Sequence, residues 1–338
     1  MSKRLVLVTG GNGYLGSVLV EELSVRGYRT IVFDNRLTSS DFPPNSNDRD
    51  VLYIRGDVRN SDELAPVLQG VDAVVHLASI VGDPACNAAP HLAWDINYLG
   101  TINIANACRE AGVRRFVFAS TCSNYGLQAH EDMDEMAPLH PQSTYAQTKI
   151  HAEHYLLSVR DAMFSPCILR FATLYGLSPR MRFDLAVNIM TVKAALEHEV
   201  KVYGGEQWRP FLHVRDAARI IVQALESTAS TTLPEIYNCG SETENYPLKE
   251  LGQLLVREVP GVKLCFVPEE VDKRSYRVNF GRIQRDLNFQ CQYRVIDGIR
   301  EILATIQTGL YHDYTLPRYS NYLMILSRTQ QAAELVTS

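Results

Sequence analysis

The passage from Leu5 to Gly16 constrains this 338-residue chain most: an apolar run, Leu5-Val6-Leu7-Val8, leads directly into Thr9-Gly10-Gly11-Asn12-Gly13-Tyr14-Leu15-Gly16. Four consecutive branched apolar residues without polar alternation suit a strand buried on both faces, as in a parallel sheet. Glycines at 10, 13 and 16 let the backbone turn sharply and approach a ligand. A helix from about Gly13 to Arg26 follows, with Leu15, Val18, Leu19 and Leu23 at helical spacing and Gly27 ending it. The next strand, Thr30-Ile31-Val32-Phe33, ends on Asp34. A glycine turn at a helix N-terminus offers backbone amides to a pyrophosphate, and an acid about twenty residues on can bind the adenosine ribose hydroxyls. Asp34 also repels a 2′-phosphate, so the expected dinucleotide is NAD rather than NADP.

The alternation continues. Leu37 to Asp50 is polar and carries Pro43-Pro44, which reads as a loop. Strands are expected at Val51–Ile54, Ala73–Leu77, Arg115–Ala119 and Pro166–Arg170, with a helix starting near Ser61 and another from about Pro90 to Ala111. Strands alternating with helices predict an α/β fold with a doubly wound parallel sheet, whose ligand lies at the carboxyl ends of the strands, where Asp57, Ala78 and Ser120 fall. A formal charge of −5 and a pI near 6.0 argue against nucleic acid or an anionic membrane as partner. The seven cysteines are scattered without a CxxC pair, which suits free thiols in a reducing cytoplasm. The apolar run after Met1-Ser2-Lys3-Arg4 is too short for a signal peptide, and no segment reaches the length of a membrane span. His151 and His154 have no carboxylate or thiol at a ligand spacing, so no metal site is expected.

Tyr145-Ala146-Gln147-Thr148-Lys149 places a phenol and an ammonium four residues apart, on one face if the segment is helical. The Lys149 charge is expected to draw the Tyr145 pKa down from about 10 toward working pH, where a phenolate serves as general base. Taken alone, the spacing also suits an ordinary amphipathic helix.

With these strings in hand, the sequence resembles the extended short-chain dehydrogenase/reductase family in its nucleotide-sugar epimerase/dehydratase branch, over nearly the whole chain to about residue 310. The marks are TGGNGYLG at 9 to 16, GDV at 56 to 58, VVHLAS at 74 to 79, NYLGT at 97 to 101, FASTCSNYG at 118 to 126, YAQTK at 145 to 149, LRFATLYG at 169 to 176 and RPFLHVRDAA at 209 to 218. The resemblance implies a Rossmann NAD-binding domain over residues 1–175, with returning segments at about 210–240. Residues 176–338 then form a smaller, interleaved substrate-binding lobe and a tail. Implied catalytic residues are Thr121, Tyr145 and Lys149. The implied cofactor set is Gly10, Gly13, Tyr14, Leu15, Gly16, Asp34, Asn35, Asp57, Val58, Leu77, Ala78, Ser79, Asn97, Tyr145 and Lys149. Val81, Thr121, Cys122, Ser123, Thr173, Asn188, Val202, Arg209, Arg274 and Arg277 are implied to meet a nucleotide-sugar substrate, with Arg209 and either Arg274 or Arg277 clamping its diphosphate. A homodimer through the helix around 90–111 and the helix that carries Tyr145 is the implied assembly.

Departures narrow the chemistry. Dehydrating members carry Asp and Glu after the Thr121 position, and Cys122 and Ser123 stand here. A thiol can move a proton only if its thiolate is stabilised, and a buried apolar Cys is the simpler reading. The strings at 81–86, 178–188 and 272–276 resemble enzymes acting at C4 of nucleotide-linked hexoses and heptoses, among them GDP-heptose 4-dehydrogenases and related epimerases. The expectation is therefore hydride transfer from sugar C4 to tightly bound NAD, with Tyr145 as base. Dehydration through a 4-keto intermediate, and a non-catalytic NAD-binding regulator on the same fold, stay open. The tail after Tyr311 packs either on a partner subunit or on the body of the chain.

Overall fold

A computed structural model describes residues 3–39, 48–227, 236–268 and 274–337. Part of the 37–50 loop, and Asp272 and Lys273 of the 272–276 string, lie outside these residues. Seven parallel strands form the central sheet, in the spatial order Ile236–Cys239, Ser165–Phe171, Arg115–Thr121, Ala73–His76, Leu5–Thr9, Arg29–Asp34, Val51–Arg55. Burial on both faces explains why the central strands read as unbroken apolar runs. In Leu5–Thr9, Val6 and Val8 enter the core on one face, beside Leu19 and Leu23 of the helix Tyr14–Val25. Leu7 enters the core on the other, with Phe116, Phe118 and Ile168.

The chain after residue 175 returns to the sheet. The helix Val214–Glu226 packs on Tyr14–Val25, and Ile236–Cys239 pairs in parallel with Ser165–Phe171. A second core, with Val187, Val200, Val202, Phe211, Leu251 and Ile299, supports short strands of the lobe, where Glu199–Tyr203 pairs with Lys263–Val267. The tail packs on the body of its own chain. Tyr311, Tyr314 and Tyr319 surround the Phe183 ring, and Ile325 of the helix Asn321–Thr337 is buried beside the sheet.

Local detail departs from the sequence expectation in two places. The segment after Asn60 is a 3-10 turn, Ser61–Glu63, followed by one short helix, Leu64–Val67. The long helix runs Pro90–Trp94, then a π-turn at Asp95–Leu99, then Gly100–Glu110. That π-turn carries Asn97, whose role is described next.

Candidate active site

A cavity of about 500 Å³ opens at the carboxyl ends of the strands, walled by both halves of the molecule. That volume suits a small-molecule ligand. One end is the glycine turn. The helix Tyr14–Val25 begins at Gly13 without a side-chain cap, so its first-turn amides are left for a ligand. Gly10 has φ +73°, and a Cβ there would stand 2.6 Å from Ala78 N; a Cβ on Gly16 would stand 2.3 Å from Gly10 O. Both glycines are therefore required by close contact with the chain's own backbone, which sets the shape of the turn. Asp34 lines the same end, its two carboxylate oxygens taking the N–H groups of Asn12 (3.0 Å) and Arg36 (2.7 Å), and burial raises its pKa above the usual carboxylate value. Each oxygen keeps a lone pair for a ribose hydroxyl.

Tyr14, Leu15, Asn35, Val58, Leu77, Ala78 and Ser79 also line the cavity. Two residues of the implied cofactor set do not. Asp57 turns to Arg59 at 2.7 Å and Asn35 at 3.0 Å, which hold its pKa down at about 2 despite partial burial. Asn97 is fully buried: its Oδ1 accepts from Ile80 N (2.8 Å), and its Nδ2 donates to Ile80 O (3.0 Å) and Thr148 Oγ1 (3.1 Å). It ties the 77–81 loop to the helix Thr144–Ser158 and contacts no open space.

That helix, capped by Ser143 through its side chain to Ala146 N, presents Tyr145 and Lys149 to the cavity as the four-residue spacing requires. Lys149 Nζ donates to Ala119 O at 2.9 Å and lies 4.7 Å from the Phe118 ring centre. Burial lowers its pKa to about 8. Tyr145 departs from expectation. Burial, reinforced by Cys86 and Asp83, raises its phenol well above the ordinary value, while Arg182 and a hydrogen bond with Thr121 oppose the shift. Lys149, whose ammonium donates to the Ala119 carbonyl, does not reverse the shift. Thr121 ends the strand Arg115–Thr121, its hydroxyl accepting from Ser123 N at 3.1 Å. Beneath it, a buried network joins Glu153 to Ser120, to Asn124 at 2.9 Å and to Arg170 at 2.6 Å. Such a pair tolerates burial only when its remaining polar atoms are satisfied, which the network provides.

The lobe closes the cavity with Thr173, Arg209, Arg274 and Tyr276, and Val81 and Ser123 complete the wall from the other half. The Arg209 guanidinium lies 5.3 Å from the Tyr276 ring centre and donates to the carbonyls of Trp208 (2.8 Å) and Arg274. Arg274 pairs with Asp83 across the cavity at 2.7 Å. Arg182 lines the cavity while paired with Asp184 at 2.8 Å. Four residues of the implied substrate set lie elsewhere. Arg277 is half exposed, pairs with Asp132 at 3.1 Å and stacks on Trp208. Val202 points into the lobe core because strand alternation turns it inward between exposed Lys201 and Tyr203. Asn188 is fully buried, with Oδ1 accepting from Gly176 N (3.0 Å) and Nδ2 donating to Arg182 O (2.9 Å) and Tyr14 Oη (3.2 Å). Cys122 is buried, its thiol donates to Arg170 O at 3.1 Å, and burial drives its pKa far up. Asp83 and Asn321 line the cavity without having been singled out; Asn321 lies in the tail, where no motif flagged it.

No group of residues able to hold a metal ion occurs among the described residues, and no described helix is long and apolar enough to cross a membrane.

Comparison with known proteins identifies relatives in sequence and fold. The model of the NAD dependent epimerase/dehydratase family matches residues 6–240. A UDP-glucose 4-epimerase of Bacillus subtilis (strain 168) is 29% identical over 262 residues, covering 70% of this chain and 77% of that protein. The structure of MoeE5 in complex with UDP-glucuronic acid and NAD superposes with a TM-score of 0.78 at 30% identity, covering 90% of this chain and 99% of that one. DesIV, a dTDP-glucose 4,6-dehydratase from Streptomyces venezuelae solved with NAD, gives 0.80 at 26% identity, covering 91% and 99%.

Proposed function

The chain belongs to the NAD-dependent epimerase/dehydratase family, and on that premise we propose that it oxidises a nucleotide sugar at C4, acting as an epimerase or as a 4-dehydrogenase. The observation that carries the reading is the convergence of Thr121, Tyr145 and Lys149 in one cavity with the glycine turn and Asp34 on one side and Arg209 and Arg274 on the other. The amides after Gly13 hold the cofactor pyrophosphate, Asp34 its ribose, Val58 its adenine and Leu77 to Ser79 its path toward Lys149. NAD, when bound, supplies the hydride acceptor and a positive charge beside the phenol. Tyr145 takes the proton of the C4 hydroxyl, and Thr121 hydrogen-bonds the same oxygen. Burial, with Cys86 and Asp83, shifts the Tyr145 phenol toward its protonated form, and the positive charge of the oxidised cofactor would favour the phenolate that a base requires. Arg209 and Arg274 hold the diphosphate, for which the planar guanidinium is suited.

Cys122, bonded into the core, supplies no acid or base for eliminating water. Dehydration keeps one observation in its favour: the Asp83 carboxylate lines the cavity and acts electrostatically on Tyr145. We further propose a homodimer through the face bearing Trp94, Tyr98 and His151, whose rings cluster beside exposed Leu99.

Purified protein incubated with UDP-, GDP-, CDP- and dTDP-sugars tests the reading. Interconversion of two sugar nucleotides without added cofactor identifies an epimerase, a ketosugar with NADH a 4-dehydrogenase, and a 4-keto-6-deoxy product a dehydratase. Turnover of none of them overturns the proposal.

A further inference from the structure

Asn321 opens the terminal helix Asn321–Thr337 and forms part of the cavity wall. It is only 5% exposed. Its backbone N–H donates to Asp184 Oδ2 at 2.8 Å, and its Nδ2 donates to Val81 O at 3.3 Å. Ile325, one turn on, is buried in the core and anchors the helix. The position of the side chain is therefore well determined, yet its Oδ1 is buried and accepts no hydrogen bond among the described residues. A carboxamide whose nitrogen is committed can use its oxygen only as an acceptor. Buried acceptors are almost always satisfied in folded proteins, so one left unmet on a residue of the cavity wall points to a donor that arrives with a ligand.

Location narrows the donor. Val81 follows Ile80, which Asn97 clamps to Thr148, the residue beside Lys149. Asp184, the other anchor of Asn321, is shared with Arg182. These links set Asn321 beside the elements that carry the proton-transfer pair, where the reacting sugar would lie.

We propose that Asn321 is a substrate-binding residue whose Oδ1 accepts a hydrogen bond from a hydroxyl of the sugar, so that the C-terminal segment takes part in selecting it. The inference rests on the nucleotide-sugar reading above. Full-length Asn321→Leu, and Asn321→Ala in case the larger side chain disturbs folding, are compared with wild type by calorimetry. The probes are the sugar nucleotide that wild type binds most tightly among UDP-, GDP-, CDP- and dTDP-sugars, its nucleoside diphosphate without the sugar, and NAD. Affinity for the sugar nucleotide is expected to fall about tenfold or more, while the diphosphate and NAD stay within about twofold. Equal losses for sugar nucleotide and diphosphate show a purely structural role and overturn the proposal. A loss confined to NAD assigns the donor to the cofactor and overturns it as well. Variants that bind everything like wild type remove Asn321 from the site but leave the nucleotide-sugar reading standing. Wild type that binds none of the four sugar nucleotides overturns that reading itself.

Discussion

The two halves of the molecule place functional side chains by different rules. In the dinucleotide half the cavity-facing residues leave from the carboxyl ends of parallel strands or from one helix face: Gly10 after Leu5–Thr9, Asp34 at the end of its strand, Thr121 at the end of another, and Tyr145 and Lys149 four apart. The topology turns those positions toward the crevice whatever the loops do. In the lobe no such rule operates. Val202, Asn188 and Arg277, each of suitable chemistry or position, face a core, a buried hydrogen-bond junction and solvent, respectively. Strand ends and one helix face therefore place most of the dinucleotide-half residues, although Asp57, Asn97 and Cys122 turn to partners within the protein, whereas short strands and loops need the structure to orient them.

This contrast can be tested from both sides. The largest effect is expected in the dinucleotide half: Tyr145→Phe should lower kcat by about 10²–10⁴-fold with bound NAD retained, and a smaller loss would mean that another group moves the proton. Lys149 comes next. Its native pKa of about 8 lies below its unfolded value, so the unfolded chain binds more protons between about pH 8 and 10. The lysine's contribution to stability should rise with pH across that window, by an amount on the order of 3 kcal/mol at most. The difference between denaturant melts of NAD-free wild type and Lys149→Met, which cancels the opposite trend of the buried thiols, should shift in favour of wild type as pH rises; parallel curves would place the ammonium in water.

The lobe gives the third comparison. Arg209→Ala and Arg274→Ala should weaken sugar-nucleotide binding by roughly 10–100-fold, as expected for charge-assisted hydrogen bonds. Arg277→Ala, removing a half-exposed ion pair, should change binding by less than about threefold. A large effect at Arg277 would show that the lobe rearranges around its ligand. The smallest effect is predicted for Cys122→Ala: turnover within about threefold of wild type. A collapse of kcat with unchanged stability would restore a chemical role for the thiol.

The reach of the sequence follows the same division. The doubly wound parallel sheet, the glycine turn, Asp34 and the Tyr145 helix are legible, because periodicity and spacing encode them, whereas the spatial order of the strands is not. The direction of the Tyr145 pKa is not, because the burial that sets it, with Cys86 and Asp83 beside the phenol, is a tertiary property. Asn97 and Asn188 were read as ligand contacts because an amide in a motif has the same chemistry whether it meets a ligand or its own backbone. Only the hydrogen bonds show that both are fully engaged inside the protein. The tail offered no motif, and Asn321 became visible only through the unmet oxygen at the cavity wall.

The ion pair between Asp83 and Arg274 bears on which molecules can enter. Arg274 is neutralised from the opposite wall, and Arg182 is neutralised by Asp184. An incoming diphosphate can replace the Asp83 carboxylate with a second anion, so Arg274 loses no partner in the exchange. A free monosaccharide brings no charge with which to make that exchange. The carrier nucleotide would then act as the admission criterion, read at Arg274 before any sugar hydroxyl reaches Tyr145.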